Sequence, residues 1–280
     1  MPEPSSTAAS SASRPGASAV ISAAFDRAQA EGRAALMPYL MGGFPDQETA
    51  TAVAGAYADT GADLIELGVP FSDPLADGPT IHSADTAALA AGATLESVLE
   101  TCAAVADRIP VALMAYSNMI LARGVEEFGG LAARAGAAGV IVPDLPLEEQ
   151  GPIADALGSE GLALIPLVAP TTPPERRARI CAGAQGFVYL VSTVGVTGER
   201  AELPPELTDL ISAAKEEAGV PVAVGFGIST PEQAATVGKL ADGVIIGTRL
   251  VRAVADAPDR DAAVAAVSDL LSETRAALAR

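Results

Sequence analysis

The sequence predicts an α/β chain folded as a (β/α)8 TIM barrel with one extra N-terminal helix. Three observations carry this expectation. Short apolar runs alternate with helical stretches eight times along the chain. The repeat spans about 245 residues, the size of one such barrel. No G-x-G-x-x-G follows the first apolar run, which disfavours the open doubly wound sheet. Strand–helix alternation of this kind implies right-handed crossovers and a parallel sheet.

Residues 1–18 are rich in Ser, Ala and Pro and lack an apolar core segment, so they read as a disordered tail and not as a secretory signal. Residues 19–280 read as a single barrel domain, because no linker-like stretch interrupts the alternation. Ala19–Arg33 places Val20, Ile21, Ala24, Phe25 and Ala28 at helical spacing ahead of the first strand. The predicted strands are Ala35–Met41, Asp63–Val69, Pro110–Tyr116, Gly139–Asp144, Leu162–Val168, Gly186–Ser192, Pro221–Phe226 and Gly243–Gly247. The predicted helices are Gln47–Thr60, Leu95–Arg108, Val125–Ala135, Glu148–Ser159, Pro174–Ala182, Pro205–Ala218, Pro231–Leu240 and Asp261–Ala279. Thr94 ahead of Leu-Glu, and Ser229-Thr-Pro-Glu, supply start signals.

Half of the 280 residues are hydrophobic, enough for a sizeable core, and the formal net charge is -18. An acidic balance of that size argues against nucleic acid and anionic membrane as partners, since both need a basic face. No apolar run reaches the ~18–20 residues of a membrane span. The expected location is the cytoplasm. Cys102 and Cys181 fall in predicted helices and read as small buried apolar groups.

In this fold the chemistry sits at the C-terminal ends of the strands and in the loops that follow. Glu66 lies in Leu64-Ile-Glu-Leu-Gly-Val69, a carboxylate within an apolar strand. Side chains alternate along a strand, so Glu66 shares a face with Leu64 and Gly68, while Ile65 and Leu67 face the helices. Glu66 therefore points into the barrel near its mouth. The structural alternative is a partner for a buried Arg or Lys, but no strand offers an inward cation. Asp77, in Ala-Asp-Gly-Pro, reads either as a turn former or as a second functional carboxylate. Asp73 and the one histidine, His82, read more readily as local structure.

Glycine forms the second constellation. Gly195-Val-Thr-Gly198 follows the sixth strand, Gly225-Phe-Gly-Ile-Ser229 ends the seventh, and Gly247-Thr248 ends the eighth. Backbone N–H groups of such loops, with a short helix N-terminus, cradle a phosphate. Tyr189 in the sixth strand is either a core aromatic or a ring facing the substrate. Asp144 and Asn118, at the ends of the fourth and third strands, brace a loop, a ligand or a partner. No His/Cys cluster indicates a metal, one histidine excludes a convincing Ser-His-Asp set, and both lysines, Lys215 and Lys239, fall in helices.

Glu66-Leu-Gly-Val-Pro-Phe-Ser-Asp-Pro-Leu-Ala-Asp-Gly-Pro-Thr-Ile81 resembles the signature of the tryptophan synthase alpha chain family. The resemblance extends to Tyr39-Leu-Met-Gly-Gly-Phe-Pro45, Tyr116-Ser-Asn118, Val142-Pro-Asp-Leu-Pro146, Tyr189-Leu-Val-Ser192 and both later glycine motifs, and covers most of the chain. It implies a carbon–carbon lyase of L-tryptophan biosynthesis that cleaves indole-3-glycerol phosphate to indole and glyceraldehyde 3-phosphate. By the family's motif, Glu66 and Asp77 are the catalytic carboxylates. The phosphate site maps to Gly198, Gly227, Gly247 and Thr248, and the indole pocket to Tyr39, Met114, Phe226 and Tyr189. The loop Thr193–Leu203 is the implied lid, with Thr197 touching the Asp77 loop. The lid lacks an arginine that some members carry, and the tail before Ala19 is longer than the family requires. The implied partner is a tryptophan synthase beta chain in an alpha2-beta2 tetramer, contacted by Pro70–Pro79 and Ser117–Met119. Pyridoxal phosphate belongs to that beta partner, and no cofactor is expected in this chain. The alternative is a non-catalytic barrel that binds and regulates a beta subunit.

Overall fold

The computed structural model describes residues 16–191, 205–225 and 227–279. Residues 1–15, which make up most of the expected tail, and the expected lid 193–203 lie outside them. In chain order the elements are α1 (Ala17–Ala30), β1 (Ala35–Met41), α2 (Gln47–Asp59), β2 (Ile65–Gly68), α3 (Pro79–Ala90), α4 (Leu95–Val105), β3 (Val111–Met114), α5 (Ser117–Arg123) and α6 (Val125–Arg134). Then come β4 (Gly139–Ile141), a 3-10 turn (Leu147–Glu149), α7 (Gly151–Ser159), β5 (Ala163–Ile165), β6 (Leu167–Val168), α8 (Pro174–Ala182) and β7 (Val188–Val191). The last are α9 (Pro205–Glu217), β8 (Val222–Gly225), α10 (Pro231–Gly238), β9 (Gly243–Ile246), α11 (Thr248–Asp256) and α12 (Arg260–Leu278).

The strands pair in the order β5-β4-β3-β2-β1-β9-β8-β7-β6, and every ladder between them is parallel. β5 and β6, the two ends of that order, are halves of the strand expected over Leu162–Val168. Pro166 separates them, and a proline has no N–H to give a ladder. The ring thus closes through the chain at Pro166, and the fold is the expected eight-unit barrel with one broken strand.

Alternation sorts the side chains into two cores. Leu36, Leu40, Ile65, Leu67, Val111 and Leu113 pack outward against the helices. Met37, Tyr39, Met41, Ala112, Met114, Ile141, Ile165 and Tyr189 point into the barrel. Helix α1 contributes Ile21, Phe25 and Ala28 to this inner cluster, so it plugs one end of the barrel. The Phe25 ring lies 5.8 Å from that of Phe187. Gly243 leaves the space: a Cβ there would stand 2.8 Å from the Phe25 ring. Burying an aromatic of this size stabilises by about 1.5–3 kcal/mol.

At the same N-terminal end of the strands, Arg33 and Asp63 form a buried bidentate pair at 2.5 and 2.9 Å. Asp63 also accepts the Leu36 N–H at 2.8 Å. The buried arginine therefore engages Asp63 and not Glu66.

Some element boundaries differ from expectation. The first helix begins at Ala17 and not Ala19. The helix expected over Glu148–Ser159 starts as a 3-10 turn and becomes α-helical only from Gly151, with Pro152 in its first turn. Helices α3, α5 and α11 were not among the expected set; α3 opens with Pro79 in the first turn, a start signal that the sequence does carry. Cys102 and Cys181 are buried and free, in helices, as expected. No single helix among the described residues is long and apolar enough to cross a membrane.

Candidate active site

Glu66 sits on β2 beside Tyr39 of β1 and Ala112 of β3. It is only 1% exposed, and neither carboxylate oxygen makes a hydrogen bond among the described residues. Burial, and then the charge of Asp77, push it up to about 8. The Tyr189 hydroxyl approaches the carboxylate and partly offsets this by favouring the charged form, although the contact falls short of ordinary hydrogen-bond geometry. At neutral pH Glu66 is therefore mostly a protonated acid inside an apolar barrel.

Two glycines make room for the rings around it. A Cβ on Gly68 would lie 2.2 Å from the Tyr39 hydroxyl oxygen, and one on Gly225 would lie 2.4 Å from that of Tyr189. Gly225 thus serves a tyrosine, although the sequence pattern grouped it with the phosphate glycines. Burial first, then neighbouring carboxylates, keep both tyrosine hydroxyls protonated well above their ordinary range.

Asp77 lies half-buried on the loop after β2. It accepts a hydrogen bond from the Tyr116 hydroxyl at 3.0 Å. Tyr116 in turn accepts the Ala76 N–H at 3.0 Å, and its ring stacks on Phe71 with centroids 5.2 Å apart. Burial raises the Asp77 pKa, while Tyr116 and the nearby His82 pull it back.

One cavity of about 460 Å3, its mouth included, joins these groups. Its walls carry Glu66, Asp77, Tyr39, Met114 and Tyr189 together with Gly227, Gly247 and Thr248. Gly227 adopts a φ of 82°, a backbone conformation that side-chain-bearing residues avoid. Helix α11 starts at Thr248 with Gly247 as its cap and no side-chain hydrogen bond to its first turn. Helix α10, by contrast, is closed by a capping box between Thr230 and Gln233. An uncapped first turn facing a cavity suits an anion.

Eight of the residues expected in the site line this one cavity. Thr197, Gly198 and Phe226 lie outside the described residues. His82 is exposed on α3 and does not line the cavity. Asp144 accepts from the Ser117 N–H at 2.8 Å and the Ser117 hydroxyl at 2.7 Å, so it braces the loop after β3. Asp73 is exposed and accepts from the neighbouring Ser72 hydroxyl. Sequence reasoning missed the apolar wall of Ile81, Ile228 and Ile245. It also missed the role of Tyr116 and the buried Asp85 of α3. For Asp85 a signal existed: it falls on the stripe Ile81, Ala84, Asp85, Ala88 that α3 buries.

A family model described as the tryptophan synthase alpha chain matches residues 25–279. The chain belongs to that family. The tryptophan synthase alpha chain of Prochlorococcus marinus (strain MIT 9313) is 50% identical over 242 residues, 85% of this chain and 88% of that one. The alpha chain of Thermosynechococcus vestitus is 44% identical over 261 residues, 92% of this chain and 97% of its own. The solved tryptophan synthase alpha chain from Legionella pneumophila subsp. pneumophila superposes with a TM-score of 0.83 at 35% identity, covering 92% of this chain and 97% of that chain. Membership makes this chain the alpha subunit of an enzyme of tryptophan biosynthesis, with a beta chain as its partner.

Proposed function

We propose that this chain cleaves indole-3-glycerol phosphate to indole and glyceraldehyde 3-phosphate by a retro-aldol reaction. The observation that carries the reading is the pairing in one cavity of a buried acid, Glu66, whose oxygens make no hydrogen bond among the described residues, with a second carboxylate, Asp77. Indole is a poor leaving group until C3 is protonated. Protonated Glu66 delivers that proton, and Asp77 accepts a hydrogen bond from the indole N–H and stabilises the positive charge that develops there. Glu66, now charged, takes the proton of the glycerol hydroxyl. The C–C bonding pair returns to the ring, the aldehyde forms, and Glu66 ends protonated. A raised pKa suits an acid that must then act as a base.

The indole lies among Tyr39, Met114, Tyr189 and Phe226, and the phosphate on Gly198, Gly227, Gly247 and Thr248, with Thr197 on the lid. The assembly is an alpha2-beta2 tetramer in the cytoplasm, and pyridoxal phosphate belongs to the beta chain.

The test is indole release from indole-3-glycerol phosphate by the purified chain, with and without a beta subunit. Glu66→Gln and Asp77→Asn should each abolish release and leave the fold intact. A variant that kept wild-type turnover would sink the mechanism. No indole from the wild type under either condition would favour the regulatory barrel.

A further inference from the structure

Asp85 is a third carboxylate close to the site, and the mechanism does not use it. It lies on α3, 1% exposed, among the buried Ile81, Ala84 and Ala88. Its Oδ1 accepts the Phe71 N–H at 3.0 Å. Its Oδ2 is buried with no partner among the described residues. A carboxylate in such a place is costly, and packing alone would favour an apolar residue there. The one hydrogen bond it makes among the described residues is to the start of the Asp77 loop.

That loop has little else to hold it. Ser72, Asp73, Leu75 and Ala76 are all exposed, and Leu75 is 90% exposed. Its internal hydrogen bond from the Asp77 N–H to the Pro74 carbonyl is long, at 3.4 Å. At its far end Tyr116 grips Ala76 and Asp77. At its near end Asp85 grips the Phe71 backbone, and the Phe71 ring stacks on the same Tyr116. The two grips are thus joined through one aromatic pair.

We propose that Asp85 is a positioning residue for Asp77: by holding the Phe71 N–H it fixes the Phe71–Tyr116 stack from which the Tyr116 hydroxyl reaches Asp77. The role needs an acceptor oxygen and not a charge. Burial pushes Asp85 up to about 7, so Oδ1 offers a lone pair to Phe71 in either protonation state. Asn has the same acceptor, whereas Ala and the near-isosteric Leu have none.

The effect on turnover rests on the proposed cleavage reaction; the effect on the loop does not. Two measurements on the full chain separate them. In the first, Asp85→Ala or Asp85→Leu should lower kcat for indole release by about tenfold, with KM within about twofold, because a displaced Asp77 is missed most in the transition state. Asp85→Asn should recover most of kcat. In the second, hydrogen–deuterium exchange over residues 69–78 should quicken in the Ala and Leu variants and not in Asn. Wild-type kcat with wild-type exchange in a folded Ala or Leu variant would overturn the proposal. So would an Asn variant as impaired as Ala, which would mean that the charge matters. If the wild type released no indole, the cleavage reading would fail and exchange alone would decide: an unchanged loop rate in Asp85→Leu would still refute the positioning role.

Discussion

The Tyr116 hydroxyl bridges the backbone and the carboxylate of the Asp77 loop, accepting the Ala76 N–H and donating to Asp77, each at 3.0 Å. The loop has no regular structure of its own between Val69 and Gly78. Asp77 is therefore aimed by a side chain that follows β3, the next strand around the barrel.

Tyr116→Phe removes both hydrogen bonds and keeps the stack on Phe71. The Tyr116 hydrogen bond favours ionised Asp77, so losing it raises the Asp77 pKa further. The low-pH limb of indole release should move to higher pH, and kcat should fall about tenfold. A rate–pH profile beside the wild type checks both. An unmoved acid limb would refute the link.

Glu66 makes stability depend on pH. Its folded pKa, about 8, lies above its ordinary 4.5. The unfolded chain ionises first, so the fold loses stability as pH rises from 4.5 to about 8, and the loss levels off above that. Glu66→Gln, neutral at every pH, should match the wild type near pH 4 and exceed it by at most about 5 kcal/mol above pH 8. Urea unfolding at the two pH values reads the difference. On the proposed mechanism the wild-type kcat/KM should fall over the same upper window, because Glu66 would then have lost the proton it delivers.

Gly68→Ala drives a Cβ to within 2.2 Å of the Tyr39 hydroxyl oxygen and 2.8 Å of the ring. Overpacking of this kind costs about 1–3 kcal/mol. Combining it with Tyr39→Leu should return most of the stability and none of the activity. Denaturant midpoints of the two singles and the double decide the matter. Additive losses would show that the Tyr39 ring is not what the methyl meets.

Arg33→Met strands Asp63 in the closed end of the barrel with, among the described residues, only the Leu36 N–H as partner. Breaking a buried pair on one side costs about 3–5 kcal/mol. Arg33→Met with Asp63→Leu should recover much of that. Since Arg33 pairs with Asp63 and not with Glu66, kcat of the folded fraction should stay at the wild-type value.

Glu66 was legible in the sequence because local periodicity sets its direction. Leu64 joins the inner cluster, Ile65 and Leu67 the outer, and so a carboxylate at 66 faces inward whatever the rest of the chain does. Gly227, Gly247 and Thr248 were legible for a related reason: they follow strands that end on one rim. Asp85 was hidden because a carboxylate on a helix reads as solvated until the helix's burial is known. Tyr116 was hidden because its partner lies 39 positions away.

The sequence by itself determined the alternation of elements, the face each strand residue takes and the rim on which the chemistry gathers, since these follow from periods of two and 3.6 residues within a segment. The tertiary structure decided the pairings. Arg33 takes Asp63 at the plugged end and leaves Glu66 without a cation among the described residues; Tyr116 hydrogen-bonds Asp77 and Asp85 the Phe71 N–H; and Pro166 is where the ring closes without a ladder. Such pairings depend on the register of every strand around the barrel at once, and only the closed ring specifies that.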